Sequence, residues 1–293
     1  MDIAVTLPHL GHAAGPDAIR AAAIQAEELG FSHVWVNDHI TFPVGQSHPS
    51  KYMYDPLLTL ATAAAVTNEI RLGGQVTAAY DAPLWLANAL ASLDSLSGGR
   101  LNVAIGVGWS PEEFSALGSS FADRGERTNE IIAILRAAWH GQPFRHHGKH
   151  YDLPEVQILP SPAHEIALWI AGETAPAYRR AIEHGDGFHA GSWALAPDAM
   201  AAAVAHIREA RPEPEFVFSV YTHDWDPQKV GRDAVRAERE TYAQAGVQCV
   251  VVAPDQRDVH SWLRSVEELA AALELPPRRQ VAEIRPVTST MDG

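Results

Sequence analysis

The stretch LSGGRLNVAIGVGW, residues 96–109, decides the fold of this chain. Residues two apart on a strand share a face, so the apolar residues at positions 101, 103, 105, 107 and 109 point to one side. The other side is nearly bare, since it is formed by Asn102, Ala104, Gly106 and Gly108. A barrel strand packs its bulky face on outer helices, and small inward residues leave room for a flat ligand. A dinucleotide-binding turn is excluded, because no third glycine opens a helix after Gly108.

The rest of the chain alternates short apolar runs with Ala-rich helical patterns, which is typical of consecutive strand–helix units. Strands are predicted at 2–7, 33–37, 71–76, 101–108, 167–171, 187–190, 216–221 and 248–253. Helices are predicted at 16–29, 56–68, 83–96, 124–139, 176–184, 197–210, 228–245 and 259–273. Gly30, Gly185 and Gly246 each stand between a helix and the next strand, which predicts a left-handed helix stop at each. Eight such units predict an α/β fold, a (β/α)8 TIM barrel.

A single barrel domain is predicted over residues 1–275, because no linker-like tract divides the chain. Residues 141–164 are a predicted insertion between the fourth and fifth strands, and we expect a hairpin or excursion on the barrel there. Residues 276–293 are a predicted C-terminal tail, which we expect to be frayed.

The composition is that of a globular protein with 293 residues, 46% hydrophobic content and a formal net charge of -14. The acidic balance argues against a nucleic-acid partner, which needs a basic surface. The one cysteine, Cys249, excludes an internal disulfide and lies in an apolar run, so we expect a buried thiol and a cytoplasmic location. The sequence shows neither a signal peptide nor a membrane-spanning run, so we expect no export by that route and no membrane partner.

Several motifs together resemble the bacterial luciferase-like monooxygenases, and within them the enzymes that use the deazaflavin coenzyme F420. The motifs are NDH at 37–39, LDSLSGGR at 93–100, GVGW at 106–109, EEFSALG at 112–118, RGER at 124–127 with Glu130, 148–151, LWIAG at 168–172 and GDGF at 185–188. The resemblance covers nearly the whole chain. It implies an (α/β)8 barrel, usually a homodimer, that binds a small organic substrate.

The resemblance also implies where the cofactor ring binds. The implied residues are Asp38, Gln75, Val76, Thr77, Gly106, Gly108 and Trp109. The family tends to have a bulge with a non-prolyl cis peptide in the third strand, and the matching bond here joins residues 75 and 76. The two preceding glycines, Gly73 and Gly74, fit a distorted strand or a plain bulge.

The phosphate of the cofactor is expected where residues 171–174 open the fifth helix, because free amides and the helix dipole favour an anion there. The residues concerned are Ala171, Gly172, Glu173 and Thr174. Thr174 is a candidate for N-cap, for phosphate ligand, or for both. Glu173 must point away if the phosphate binds here.

Asp38 and His39 are the predicted catalytic residues. In the deazaflavin enzymes that this chain resembles, an Asp-His pair lies against the cofactor and the histidine is the candidate for proton transfer. A structural histidine at a strand end is the alternative interpretation of His39.

The substrate is expected to be a flat or apolar organic molecule, because the predicted pocket is rich in aromatic residues. Its predicted lining is His9, His39, Tyr80, Trp109, Glu112 and Trp193, with Trp225 as a further candidate. The chain departs from the sugar-phosphate dehydrogenases of the group at Pro43 and Pro111, where those enzymes have tryptophan and glutamate. Glu112 is the candidate for a displaced carboxylate.

The function implied is an F420-dependent oxidoreductase that transfers a hydride between the deazaflavin ring and the substrate, with His39 handling the proton. The close alternative is an FMN-dependent monooxygenase, in which a partner reductase supplies reduced FMN for reaction with oxygen. A non-catalytic flavin-binding protein is a third hypothesis. A barrel glycosidase using Glu112 and Asp38 is a fourth.

Metal binding and serine hydrolysis are not predicted. Residues 146–151 (HHGKHY) hold three histidines, but the sequence places no carboxylate or cysteine at ligand spacing beside them. No Gly-x-Ser-x-Gly elbow is present in the sequence.

Overall fold

The computed structural model describes residues 1–44, 53–80 and 82–278. Its strands and α-helices, in chain order, are β1 (Asp2–Thr6), α1 (Pro16–Glu28), β2 (His33–Asn37), α2 (Pro56–Ala64), β3 (Arg71–Thr77), α3 (Pro83–Ser97), β4 (Leu101–Gly106), α4 (Pro111–Ala116), α5 (Arg124–Trp139), β5 (Phe144–His147), β6 (Asp152–Val156), β7 (Ala167–Ala171), α6 (Ala175–His184), β8 (Gly187–Gly191), α7 (Pro197–Ala210), β9 (Val217–Thr222), α8 (Pro227–Val230), α9 (Arg232–Gln244), β10 (Cys249–Val252) and α10 (Val259–Leu273). A 3-10 turn, Ala78–Tyr80, follows β3.

Eight of these strands form a closed parallel barrel in the order β1-β10-β9-β8-β7-β4-β3-β2. The predicted TIM barrel is therefore confirmed. The remaining pair, β5 and β6, forms an antiparallel hairpin inside the predicted insertion. Residues 279–293, most of the predicted tail, lie outside the described residues. Just before them, the Arg278 amide donates to the Glu28 carbonyl, so the start of the tail contacts the end of α1.

The alternating pattern of β4 separates, as predicted, an outer core between the barrel and its helices from an inner core inside the barrel. Val103 and Ile105 are buried against the helices, while Ala104 faces a smaller cluster inside the barrel. The strand ends at Gly106, two residues earlier than predicted. Gly108 turns the chain with φ 77, a left-handed conformation that favours glycine. A side chain there would also lie 2.6 Å from Phe114 and 2.8 Å from Thr77. The strand pattern therefore does not extend to Trp109.

The middle of the barrel is filled by two stacked tryptophans, Trp35 and Trp169, which we call the tryptophan plug. Their ring centroids are 5.8 Å apart with an interplanar angle of 21°. A Cβ at Gly73 would overlap the Trp35 ring, and one at Gly187 would lie 2.5 Å from Trp169. These two glycines therefore make room for the indoles. The buried Cys249 thiol, as predicted, belongs to the same interior cluster.

The predicted distortion of β3 is wrong. The strand pairs without interruption with β4 from Leu72 to Thr77 and with β2 from Arg71 to Gln75. The peptide bond between residues 75 and 76 is not cis; among the described residues the cis bond joins Leu159 and Pro160. Gly73 makes room for the Trp35 ring, and a Cβ at Gly74 would lie 3.1 Å from Val36, so the two glycines indicated close packing and not a bulge.

Two of the three predicted helix stops are confirmed. Gly30 has φ 86 and Gly246 has φ 88, both left-handed. Gly185 is extended, with φ -90 and ψ 156, so the prediction there is wrong. The physical reason is Arg211, whose guanidinium donates to the Ile182 carbonyl at 3.0 Å and the Gly185 carbonyl at 2.7 Å and so satisfies the end of α6.

Other connections at this N-terminal end of the barrel are fixed by the same means. The Glu27 carboxylate accepts hydrogen bonds from the amides of residues 68, 69 and 70. The Arg100 guanidinium donates to the carbonyls of Ala64, Thr67 and Ile70. Each charged side chain thus pairs with several backbone groups that would otherwise lack a hydrogen-bond partner in the turn.

Within the described ranges, no helix is both long and apolar enough to cross a membrane.

Candidate active site

The loops that follow the barrel strands meet at one end of the barrel, which we call the mouth. Active sites of such barrels lie at this end. Most of the predicted site residues are placed there, on the loops or strand ends after β2, β3, β4, β7 and β8. The structure adds a carboxylate, Glu113, that the sequence prediction missed.

Glu113 is fully buried and accepts four hydrogen bonds. One carboxylate oxygen accepts from the amides of Ile40 (2.7 Å) and Thr41 (3.1 Å). The other accepts from the Tyr80 hydroxyl at 2.7 Å and lies 3.1 Å from Nδ1 of His39. Burial raises the pKa of Glu113, but hydrogen bonds from His39, Tyr80 and the two amides outweigh it and hold the pKa at about 2. Glu113 is therefore ionised at neutral pH.

The local sequence explains why Glu113 points inward. The Ser110 hydroxyl accepts from the Glu113 amide, and Pro111 occupies the first turn, so α4 begins here. Glu113 and Phe114 then face the barrel, while Glu112 is exposed and only reaches the Ser110 hydroxyl, at 3.3 Å. Glu112, which was predicted to line the substrate pocket, thus does not contact His39 as Glu113 does. The signal in the sequence that could have identified Glu113 was its position directly before the apolar residue Phe114.

His39 is held by this carboxylate. Because ionised Glu113 can only accept, Nδ1 of His39 carries a hydrogen and donates it. The ring is fixed further by Phe42, at a centroid distance of 4.9 Å, and by the edge of Trp109 at 5.7 Å. Its side chain is 17% exposed, so the imidazole is oriented and still reachable.

Tyr80 completes the network as the second side-chain donor. Burial and the neighbouring Glu113 carboxylate raise the pKa of Tyr80 far above its usual value. The phenol is therefore neutral, and its hydroxyl stays a donor. Tyr80 is nearly buried, and its ring packs edge-on against Phe114.

Asp38 connects the ends of two strands. It is 8% exposed, and its carboxylate accepts from the Thr77 amide at 2.8 Å. The Asn37 side-chain amide donates to the Tyr221 hydroxyl at 3.2 Å, across the top of the barrel. These contacts fix the two residues that precede His39.

The inner face of Gly106 offers a surface for a flat ring. A Cβ there would lie 3.4 Å from the Gln75 amide nitrogen and 3.9 Å from the Ala171 methyl, so small groups border it. Of the other predicted ring residues, Val76 points into the outer core and Thr77 contributes its backbone amide to Asp38. Trp109 lies at the mouth and is 57% exposed.

The predicted phosphate loop precedes α6. Gly172 has φ 135, and Thr174 is at the N-cap position without a side-chain capping bond. The first-turn amides therefore keep their capacity to bind an anion. Glu173 points away, because its carboxylate accepts from the Gly191 amide at 2.8 Å.

Three aromatic residues, Trp193, Tyr221 and His223, form what we call the aromatic wall. Trp193 is 67% exposed, and its ring lies edge-on to Tyr221 at 5.8 Å and 6.0 Å from His223. A Cβ at Gly191 would overlap the Trp193 indole, so that glycine seats the ring. His223 was missed by the sequence prediction, although its place directly after a strand was a signal.

Two predicted pocket residues are not brought to the mouth surface. His9 is 1% exposed, and its ring nitrogens contact the Leu7 carbonyl and the backbone of Asn37. Burial lowers the pKa of His9, which is therefore a neutral link between β1 and β2. Trp225 is 1% exposed and belongs to the outer core.

The histidines of the hairpin pair with carboxylates. His146 contacts Glu130 and His150 contacts Glu126, both on α5, while His147 contacts Asp152. No cluster of three or more metal-ligand side chains occurs among residues 1–44, 53–80 and 82–278.

A cavity of about 390 Å³ opens at the opposite, N-terminal end of the barrel. Trp169 and Cys249 line it, together with His33, Arg71 and Asn102. The tryptophan plug lies between this cavity and the mouth, so the cavity is not part of the site built around His39.

Comparisons with known proteins agree with this architecture. The sequence profile of the luciferase-like monooxygenases matches residues 2–287. An uncharacterised protein of Mycobacterium tuberculosis is 29% identical over 204 residues, covering 64% of this chain and 69% of that protein. An F420-dependent glucose-6-phosphate dehydrogenase of Amycolatopsis mediterranei is 28% identical over 180 residues, covering 59% of this chain and 53% of that enzyme.

Among solved structures, the monooxygenase RslO1 from Streptomyces bottropensis matches with a TM-score of 0.80 and 22% identity. The match covers 94% of this chain and 99% of that one. At this identity the likeness establishes a common fold.

Proposed function

Because the chain belongs to the luciferase-like monooxygenase family, whose relatives include F420-dependent dehydrogenases and monooxygenases, we propose that it is an F420-dependent oxidoreductase. It would exchange a hydride between the deazaflavin and a small organic substrate. The observation that carries the proposal is His39, which is oriented by ionised Glu113 at the mouth of the barrel, where the Gly106 face also lies.

The residues present fit such a cofactor. The open face of Gly106, bordered by Gln75 and Ala171, accepts a flat ring, since added bulk meets neighbours there only at ordinary contact distances. The uncapped start of α6, with Gly172 and Thr174, suits the phosphate. When bound, the deazaflavin would supply the hydride acceptor or donor.

The residues of this chain would manage the proton. In oxidation of an alcohol to a carbonyl compound, for which the bound deazaflavin would supply the hydride acceptor, Nε2 of His39 would take the hydroxyl proton. In the reverse direction, His39 returns the proton to the carbonyl oxygen. Glu113 stabilises the imidazolium formed and Asp38 fixes the backbone beside it.

The test is equilibrium binding of F420 and of FMN to the purified protein, followed by turnover with reducible and oxidisable organic compounds. We expect F420 to bind more tightly than FMN. His39→Ala should retain F420 binding and lose about 100-fold or more in kcat. His147→Ala, which removes an exposed hairpin imidazole (72% exposed), is the matched control and should change neither. Preferential FMN binding with oxygen consumption would overturn the proposal in favour of a monooxygenase supplied by a reductase.

The homodimer implied by the resemblance and the cytoplasmic location expected from the single cysteine stay predictions. Light scattering of the purified protein tests the first, and localisation of the tagged chain in cells tests the second.

A further inference from the structure

The mouth has two halves that the strand order places opposite each other. β2 and β8 are separated by three strands in either direction around the barrel. His39 follows β2, whereas the aromatic wall of Trp193, Tyr221 and His223 belongs to β8 and β9. A substrate that reaches His39 from across the barrel axis therefore faces this wall.

The aromatic wall is preformed. Gly191 seats the Trp193 indole, and the Tyr221 ring lies edge-on to both Trp193 and His223, with centroid distances of 5.8 and 5.0 Å. Tyr221 is fixed from below by the hydrogen bond from Asn37. An exposed indole held in this way gives a large apolar contact at a small loss of side-chain entropy.

Three cations that follow barrel strands are bound to other groups of the protein. Lys229, on the connection after β9, is paired with Asp226 at 3.0 Å, and Arg257, on the connection after β10, is paired with Asp255 at 2.6 Å. Arg124, at the start of α5, donates to the Gly108 and Phe121 carbonyls and stacks on Phe121.

Neither His223 nor Asp224 adds positive charge to the aromatic wall. Desolvation lowers the pKa of His223, so its imidazole is neutral at pH 7. Asp224 follows it with a negative charge. A phosphorylated substrate would thus meet neutral rings and a carboxylate on this wall, which is unfavourable for an anion.

Resting on the proposed function, we propose that the aromatic wall selects the substrate, and that this substrate is an uncharged alcohol or ketone with an apolar ring, in contrast to a sugar phosphate. The ring packs on Trp193, while the hydroxyl or carbonyl oxygen reaches His39. Proton and hydride then move as described for His39 above.

Binding of two probes, 1-phenylethanol and glucose 6-phosphate, tests the proposal without any cofactor. Saturation-transfer NMR should show binding of 1-phenylethanol and much weaker binding of glucose 6-phosphate. Trp193→Ala should weaken 1-phenylethanol binding about tenfold. Trp85→Ala, which removes a tryptophan of similar exposure (56%) on α3, is the matched control and should leave it unchanged.

Turnover with F420 gives the second readout. The KM for 1-phenylethanol should rise about tenfold in Trp193→Ala while kcat changes less and F420 affinity stays constant. Stronger binding of glucose 6-phosphate, or equal effects of the two tryptophan substitutions, would overturn the inference. Selective probe binding without F420 binding would instead contradict the proposed function and leave the aromatic wall as a binding surface.

Discussion

The two ends of the barrel use the same device for different purposes. At the N-terminal end, Glu27, Arg100 and Arg211 are charged side chains whose partners include several backbone groups of a turn. At the mouth, Glu113 also accepts from two backbone amides, but its other two partners are the ionisable side chains of His39 and Tyr80. A buried charge therefore fixes a loop at one end and orients an acid–base group at the other. We expect substitutions at the first end to lower stability and those at the second to lower activity.

Lowering the pH should have the largest effect, and it should lower the stability of the barrel. Burial lowers the pKa of His33 and of His189, inside the barrel, to about 3. The unfolded chain binds protons from pH 6.5 downward, so the stability contributed by these neutral imidazoles is present above pH 6.5 and is lost as the pH falls towards 3. By pH 4 the loss should be roughly 3 kcal/mol for each group.

Urea unfolding between pH 7 and 5.5 measures the onset of this loss while most carboxylates remain ionised. A net uptake of about two protons or more on unfolding is expected, since His9 is also buried and neutral. A free energy of unfolding that stays flat over this range would show that the barrel interior tolerates imidazolium. The stability contributed by ionised Glu113, with its pKa at about 2, should be lost mainly below pH 4.5.

Gly73→Ala should have the next largest effect, because the added methyl overlaps the Trp35 ring of the tryptophan plug. We expect a loss of about 3 kcal/mol in the free energy of unfolding, as for other overpacked cores. Gly106→Ala is the matched change at the mouth, where the methyl meets its nearest neighbour at 3.4 Å. It should unfold like the wild type and bind the cofactor less tightly. Equal destabilisation by both changes would remove the distinction between plug and mouth.

Arg100→Met should lower the free energy of unfolding by about 2 kcal/mol, because the carbonyls of Ala64, Thr67 and Ile70 lose a donor. Thermal or urea unfolding measures the loss. The kcat/KM of the folded enzyme should not change, since Arg100 lies at the end of the barrel opposite His39. A fall in kcat/KM beyond the fraction unfolded would mean that the two ends are coupled.

Glu113→Gln should act mainly on activity. The amide keeps the size of the side chain but removes the charge that orients and stabilises the His39 imidazolium, so we expect kcat to fall about 10- to 100-fold. The pH profile of kcat/KM should shift as well, which a purely structural role would not produce. Glu112→Gln, on the exposed neighbour, should leave both unchanged. A similar loss in the two variants would argue against Glu113 as the positioning residue.

The sequence predicted the barrel well because its signals are local. Alternation in β4 and a helix after each strand follow from periodicity and turn residues, which a single sequence displays. The errors arose where a residue's meaning depends on a distant partner. Gly73 indicated a bulge until Trp35, on the neighbouring strand, was seen to need its space.

The site shows the same limit. The prediction placed His39 at the mouth, since strand ends can be read from the sequence. The choice between Glu112 and Glu113 depended on where α4 begins and which way it faces. Likewise, His9 resembled a pocket residue until both ring nitrogens were found against the backbone. Sequence patterns give positions along an element, while partners across the barrel need three dimensions.

The tryptophan plug has an optical consequence. Two indoles held 5.8 Å apart at 21° in an asymmetric interior should give a near-ultraviolet circular dichroism signal, which disappears when specific packing is lost even if helices persist. Trp109 and Trp193 lie in solvent at the mouth, where a small quencher reaches their emission. In Trp85→Ala, which lacks the exposed indole of α3, one sample therefore reports the integrity of the barrel through dichroism and the occupancy of its mouth through fluorescence.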